Sequence, residues 1–158
     1  MTASAVADLH DFAGESRDGL ETGGIVLGVD EGLGGNLTVR HCGDAGPNAV
    51  RRPKSFRRDV EHAQQLADAA NQHDGSAWIG EWHTHLVDLP TPSSLDLRTY
   101  RNLLGDPETQ LIRLIALILV ADDDAGWDEP LLFAWSFTGT VLRQLGIRVE
   151  TDEKAEDE

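Results

Sequence analysis

The chain has 158 residues, 40% of them hydrophobic, and a formal net charge of −15, which fits one domain of ordinary size with a core of its own. No stretch approaches the roughly 18 apolar residues a membrane span needs, and the N-terminus has neither a basic start nor an apolar run, so no membrane segment and no signal peptide are expected. The negative charge repels phosphate backbones and anionic lipid, which argues against nucleic acid or a membrane as partner, and the single cysteine, Cys42, forms no internal disulfide and suits a reducing cytoplasm.

In chain order, Val6, Leu9 and Phe12 recur at helical spacing and predict a short amphipathic helix over 3–13. Gly23 and Gly24 open an apolar run, 25–29, that reads as a buried strand. Gly32, Gly34, Gly35 and Asn36 mark a turn, and the alternating segment 37–41 pairs back as a hairpin. Residues 43–54, with two glycines and two prolines, read as loop. A second helix follows over 59–73, rich in Ala, Gln and Leu. Ala77–His85 has the aromatic and β-branched content of a strand, 87–92 is a proline-bearing loop, and 93–104 is a third helix. The strongly apolar run 111–121 reads as a central strand, ended by Asp122, Asp123, Asp124 and Gly126. Two more strands are expected over 131–138 and 140–149, with a partly helical form as the alternative for the second. This order predicts an α+β (mixed α/β) fold, with residues 1–149 forming a single domain whose mixed central sheet is flanked by helices. Residues 150–158, six acids and one lysine, are expected to be a disordered acidic tail.

One segment runs against the overall charge. Arg51, Arg52, Lys54, Arg57 and Arg58 hold five of the 13 positive charges within eight residues. They form either a solvated, charge-balancing face or a docking patch for an acidic partner or a carboxylate.

The chemistry concentrates between Glu81 and Asp96. On a strand alternate side chains share a face, so His83 and His85 project together, about 7 Å apart at their Cα atoms. Two imidazoles so placed can share one zinc ion. The proline-bearing loop turns the chain back, and Asp96, in the first turn of the next helix, can add a carboxylate oxygen. Three protein ligands leave one tetrahedral position open, the pattern of catalytic rather than structural zinc. The same Ser-x-x-Asp pattern also caps a helix for purely structural reasons. Glu81 shares strand parity with both histidines, so it is a candidate general base or a partner that orients an imidazole.

His83-Thr84-His85, seven residues, Ser93, two residues, Asp96 resembles the signature of the JAB/MPN (JAMM) zinc metalloproteases position for position. Glu21-Thr22-Gly23-Gly24, followed by an apolar strand, is similar to the element that carries this family's upstream glutamate. The run Gly80 to His85, behind a basic, proline-containing loop and a helix, is similar to prokaryotic JAB-domain proteins of the deubiquitinase-like kind. One departure is Leu86, where many members have proline. The resemblance implies an MPN/JAB-like domain holding one catalytic Zn2+ at His83, His85 and Asp96. It implies Glu21 as general base, ahead of Glu81, and Ser93 as a donor to the developing oxyanion. The implied activity is hydrolysis at the C-terminus of a ubiquitin-like protein, by deconjugation or precursor processing. Trimming of a sulfur-carrier protein, which shares the ubiquitin-like fold, and a non-catalytic MPN scaffold are the alternatives. Cys42 has no part in this chemistry and reads as a small buried residue.

Overall fold

A computed structural model describes residues 1–152. Its elements are α1 (Ala3–Ala13), a 3-10 turn (Gly14–Asp18), β1 (Gly23–Asp30), β2 (Leu37–Cys42), β3 (Val50–Arg52), β4 (Ser55–Arg57), α2 (Val60–Asp74), β5 (Ala77–His85), α3 (Ser94–Gly105), β6 (Leu114–Asp122), β7 (Gly126–Phe137) and β8 (Leu142–Leu145). Each helix starts on a side-chain cap that satisfies an orphan backbone N–H. Thr2 accepts from the N–H of Ala5, Asp59 from that of His62, and Ser93 from that of Asp96.

Six strands form one mixed sheet in the order β2-β1-β5-β6-β7-β8, in which only β5 and β6 run parallel. The parallel pair is joined through α3, as a crossover requires. Helix α1 covers one face, with Ala5, Leu9 and Ala13 against Val26, Trp82 and Leu117. On the opposite face α2 packs Leu66 and Ala70 against Ile25 and Leu27, and α3 packs Tyr100 against Leu114, Ala116 and Phe137. Strand β6 is buried without a break from Leu114 to Val120, which is why it reads as a continuous apolar run.

Four segments differ from the sequence expectations. Of the strand expected over 140–149, only β8, Leu142–Leu145, forms. The segment read as loop contains the β3–β4 hairpin, in which Val50 faces Arg57 and Arg52 faces Ser55 across a Pro53-Lys54 turn. Strand β7 starts five residues earlier than expected and runs through Pro130, which β8 does not reach, since β8 pairs only with Ala134 to Phe137. A proline is tolerated there because no neighbour needs its missing N–H. The start of the acidic tail is tied down: Glu150 N–H donates to the Met1 carbonyl at 2.8 Å and its carbonyl accepts from Ala3 at 2.9 Å. Residues 153–158 of the expected tail lie outside the described residues.

Among the described residues no helix is long and apolar enough to cross a membrane. A bidentate ion pair, Arg113 with Asp30, both under one tenth exposed, ties the entry of β6 to the end of β1 with N–O distances of 2.8 Å.

Candidate metal centre

Strand β5 places its side chains through a register slip. Val26 pairs with Gly80 but Leu27 with Trp78, so Ile79 is an extra residue on β5. The slip turns Ile79 and Trp82 toward α1 and leaves Trp78 and Glu81 on the α2/α3 side. At Gly80 a Cβ would sit 1.8 Å from the Ile115 carbonyl oxygen, so only glycine lets β6 approach here. From Gly80 to His85 the two strands then run in unbroken parallel register, which fixes the backbone beneath both histidines.

The expected ligands converge. His83 Nε2 lies 2.9 Å from His85 Nε2 and 3.2 Å from Asp96 Oδ2, and His85 Nε2 lies 3.1 Å from the same oxygen. Donors at about 2.0–2.1 Å from a tetrahedral zinc ion stand about 3.3 Å from one another, close to these edges. The donor chemistry fits a cation as well. His85 Nδ1 faces the Leu89 carbonyl at 2.7 Å; a carbonyl only accepts, so Nδ1 carries the proton and Nε2 of the neutral ring carries a lone pair. That lone pair, a carboxylate oxygen and a second imidazole nitrogen meet in one buried place. The loop that supplies Leu89 is fastened again by Trp135, whose indole N–H donates to the Pro90 carbonyl at 2.9 Å.

Asp96 is held by a capping box. Its Oδ2 accepts from the Ser93 N–H at 2.7 Å, and its N–H donates to Ser93 Oγ at 3.1 Å. The Ser-x-x-Asp pattern therefore starts α3 and holds Asp96 against the two histidines at once. Burial alone would raise the Asp96 pKa, but the two imidazoles beside it and the hydrogen bond from the Ser93 N–H outweigh burial and hold the carboxyl well below the usual range. His85 is pulled down by burial and, on balance, raised by Asp96 and by the Leu89 carbonyl.

Glu21 precedes β1. The pairing of Gly23 with His83, and the bond from Thr84 N–H to the Thr22 carbonyl at 2.9 Å, carry the register onward so that Glu21 lies across from His85. It is 8% exposed, and among the described residues its carboxylate has no hydrogen-bond or ion-pair partner. Burial raises its pKa, against the pull of both histidines. Glu81 lines the same cleft but accepts from Arg58, whose guanidinium also stacks over Trp78 at 5.4 Å. Burial raises Glu81 and Arg58 opposes the rise. Glu81 makes no hydrogen bond to an imidazole among the described residues.

The basic cluster is divided. Arg51 is bidentate on Asp18, at 2.8 and 3.0 Å, and donates to the Glu21 carbonyl at 3.2 Å. Arg58 is taken by Glu81, while Arg52, Lys54 and Arg57 are exposed. Sequence reasoning grouped Arg58 with the others because a pair 23 residues apart leaves no local signal. It also missed Phe56, whose ring sits over Gly23 beside His83: a Cβ at Gly23 would lie 2.8 Å from Phe56 Cδ1 and 2.9 Å from His83 Cβ. Cys42 is buried, and burial pushes its thiol far above the usual range, so it is inert.

A curled mixed sheet with a His-x-His strand facing an aspartate-bearing helix defines a JAB-type domain. The match to the family described as prokaryotic homologs of the JAB domain covers residues 2–137, and the chain belongs to that family. Among curated relatives, a CD-NTase/cGAS isopeptidase of Escherichia coli is 30% identical over 102 residues, 63% of this chain and 64% of that protein. One of Vibrio cholerae is 31% identical over 97 residues, 60% of this chain and 61% of that protein. The chain thus spans less than two thirds of the length of these relatives. Solved structures share the fold: a protein of Desulfitobacterium hafniense at TM-score 0.64 and 20% identity, over 98% of this chain and 93% of that one, and a protein of Salinibacter ruber at TM-score 0.56 and 22% identity, over 99% and 95%.

Proposed function

We propose that the protein is a zinc-dependent isopeptidase that hydrolyses the amide joining the C-terminus of a protein to a lysine side chain. The observation that carries this reading is the meeting of His83 Nε2, His85 Nε2 and Asp96 Oδ2 within 3.2 Å of one another, beside the buried carboxylate of Glu21. Held by these three residues, zinc supplies Lewis acidity and a water acidified toward neutrality. Glu21, whose carboxylate has no ion-pair partner among the described residues, takes a proton from the attacking water and returns it to the leaving amine. The water oxygen bonds to the carbonyl carbon, the C–N bond breaks, and the lysine leaves as an amine. Ser93 Oγ already accepts from Asp96 N–H, so its own proton is free to donate to the carbonyl oxygen as charge develops there. Arg58 engages the carboxyl group of Glu81, which leaves the proton transfers to Glu21.

The names of the relatives point to the substrate. We infer that it is a CD-NTase released from a conjugate, with the CD-NTase C-terminus standing where a ubiquitin-like C-terminus stands in other members. The test is release of a CD-NTase from a fusion through its C-terminus, beside ubiquitin-like and sulfur-carrier fusions. Zinc-loaded protein should cleave the CD-NTase fusion, and Glu21→Gln should not. Cleavage of the sulfur-carrier fusion alone would move the substrate class.

A further inference from the structure

Tyr100 stands one helical turn after Asp96, so the two side chains share a face of α3. It lines the cleft of about 310 Å3 that leads from His83 and Asp96 between the β3–β4 hairpin and α3. Its ring is anchored beside Phe137, with centroids 6.4 Å apart, and it is 2% exposed. Yet its hydroxyl has no hydrogen-bond partner among the described residues. Buried polar groups are nearly always paired, and one that is not asks for a partner outside the chain. A phenylalanine would fill the same space without that need.

The surroundings restrict what the partner can be. Burial, and then Asp96, Glu81 and Glu21, hold the phenol pKa well above its usual value, so the group is a neutral donor and needs an acceptor. Arg57 at the cleft and Arg58 on Glu81 offset part of that negative charge, so shape and chemistry choose the acceptor. In a cleft walled by Phe56 and Leu95 beside a hydrolytic centre, the acceptor that fits is an amide carbonyl.

We propose that Tyr100 is a substrate-binding residue whose O–H donates to a main-chain carbonyl of the peptide segment adjoining the scissile amide, seated between the β3–β4 hairpin and α3. The inference rests on the reading of the site as an isopeptidase. Tyr100→Phe removes one oxygen and keeps the ring. The variant should retain its zinc and melt at the same temperature as the wild type or higher, because a buried orphan is gone. On the CD-NTase fusion its KM should rise about 3–10-fold with kcat changed less than about twofold, the pattern of a lost hydrogen bond present equally in ground and transition states. Unchanged KM and kcat would overturn the inference and leave the hydroxyl to an internal water. Lost zinc or a lowered melting temperature would assign it to the fold and overturn it too. If the wild type releases nothing from the fusion, the isopeptidase reading fails. The tyrosine is then judged by binding of N-acetylglycylglycinamide, a neutral diamide, to zinc-loaded protein followed by NMR. Weaker binding to Tyr100→Phe supports the proposal; equal or absent binding to both proteins overturns it.

Discussion

Two glutamates line one cleft: Arg58 pairs with the carboxyl group of Glu81, and among the described residues no side chain pairs with that of Glu21. The proposed division of labour follows from that difference and is separable by substitution. Glu21→Gln touches no proposed ligand, so the protein should keep its zinc while kcat falls by about 10²–10⁴-fold, the range for a lost acid–base group. Glu81→Gln should leave the half-buried Arg58 without its counter-charge and lower stability, with a smaller loss of activity of about 10–100-fold through the neighbouring histidine. A dead Glu81→Gln with full zinc and an active Glu21→Gln would reverse the roles. Ser93 caps α3 and is proposed to serve the oxyanion, and one substitution tests both roles. Ser93→Ala removes the cap of α3, worth about 0.5–2 kcal/mol, and should lower the melting temperature. If Ser93 also serves the oxyanion, kcat falls by about 10²–10³-fold. A cap-sized stability loss with unchanged kcat would leave Ser93 a structural residue.

At the scale of elements, the hairpin β3–β4 is seated on the metal strand by close approach. Alanine at Gly23 would place its Cβ 2.4 Å from the Trp82 carbonyl oxygen and against Phe56 and His83. Gly23→Ala should therefore lower both the melting temperature and zinc affinity. Gly105, at the end of α3, is the control: nothing lies within 4 Å of an added Cβ there and its φ is not positive, so Gly105→Ala should be neutral or stabilise by roughly 0.4–1 kcal/mol. Thermal melts and metal titration of both variants check the pair; equal behaviour would contradict the seating of Phe56. Elements with local signals were legible in the sequence: capped helices, the alternating β5 with His83 and His85 on one face, and the apolar β6. The hairpin was not. Its strands are three residues long, half of their residues are basic, and Pro53 stands between them, so neither periodicity nor propensity marks them. The extra residue Ile79 was equally hidden, because the register slip lies in the pairing of β5 with β1 and not in the residue type at Ile79. The ion pair Arg58–Glu81 and the orphaned phenol of Tyr100 depend on contacts between distant elements. For Tyr100 the spacing of four from Asp96 was the one available sign.

For the whole molecule, the sheet is locked at its far end by Arg113 and Asp30. The hydrogen bonds from Arg113 hold the Asp30 pKa below the usual value, against burial. A depressed carboxylate contributes stability that is present above its unfolded pKa, about 3.9, and is lost as the pH falls through its folded value. Asp30→Asn should cost about 3–5 kcal/mol at pH 7, since it strands a buried arginine, and the gap to wild type should narrow at pH 3 and below. Melting curves at both pH values decide this; a gap independent of pH would mean that the pair contributes shape and not charge. The opposite end of the sheet carries the chemistry, and there the account stands on the metal. Zinc content of freshly purified protein, with reconstitution and the variants His83→Ala and Asp96→Ala alongside, tests it most directly. The account predicts about one zinc per chain in the wild type and no tight binding in either variant. A wild-type protein that holds no zinc when purified and takes up none on reconstitution would contradict it.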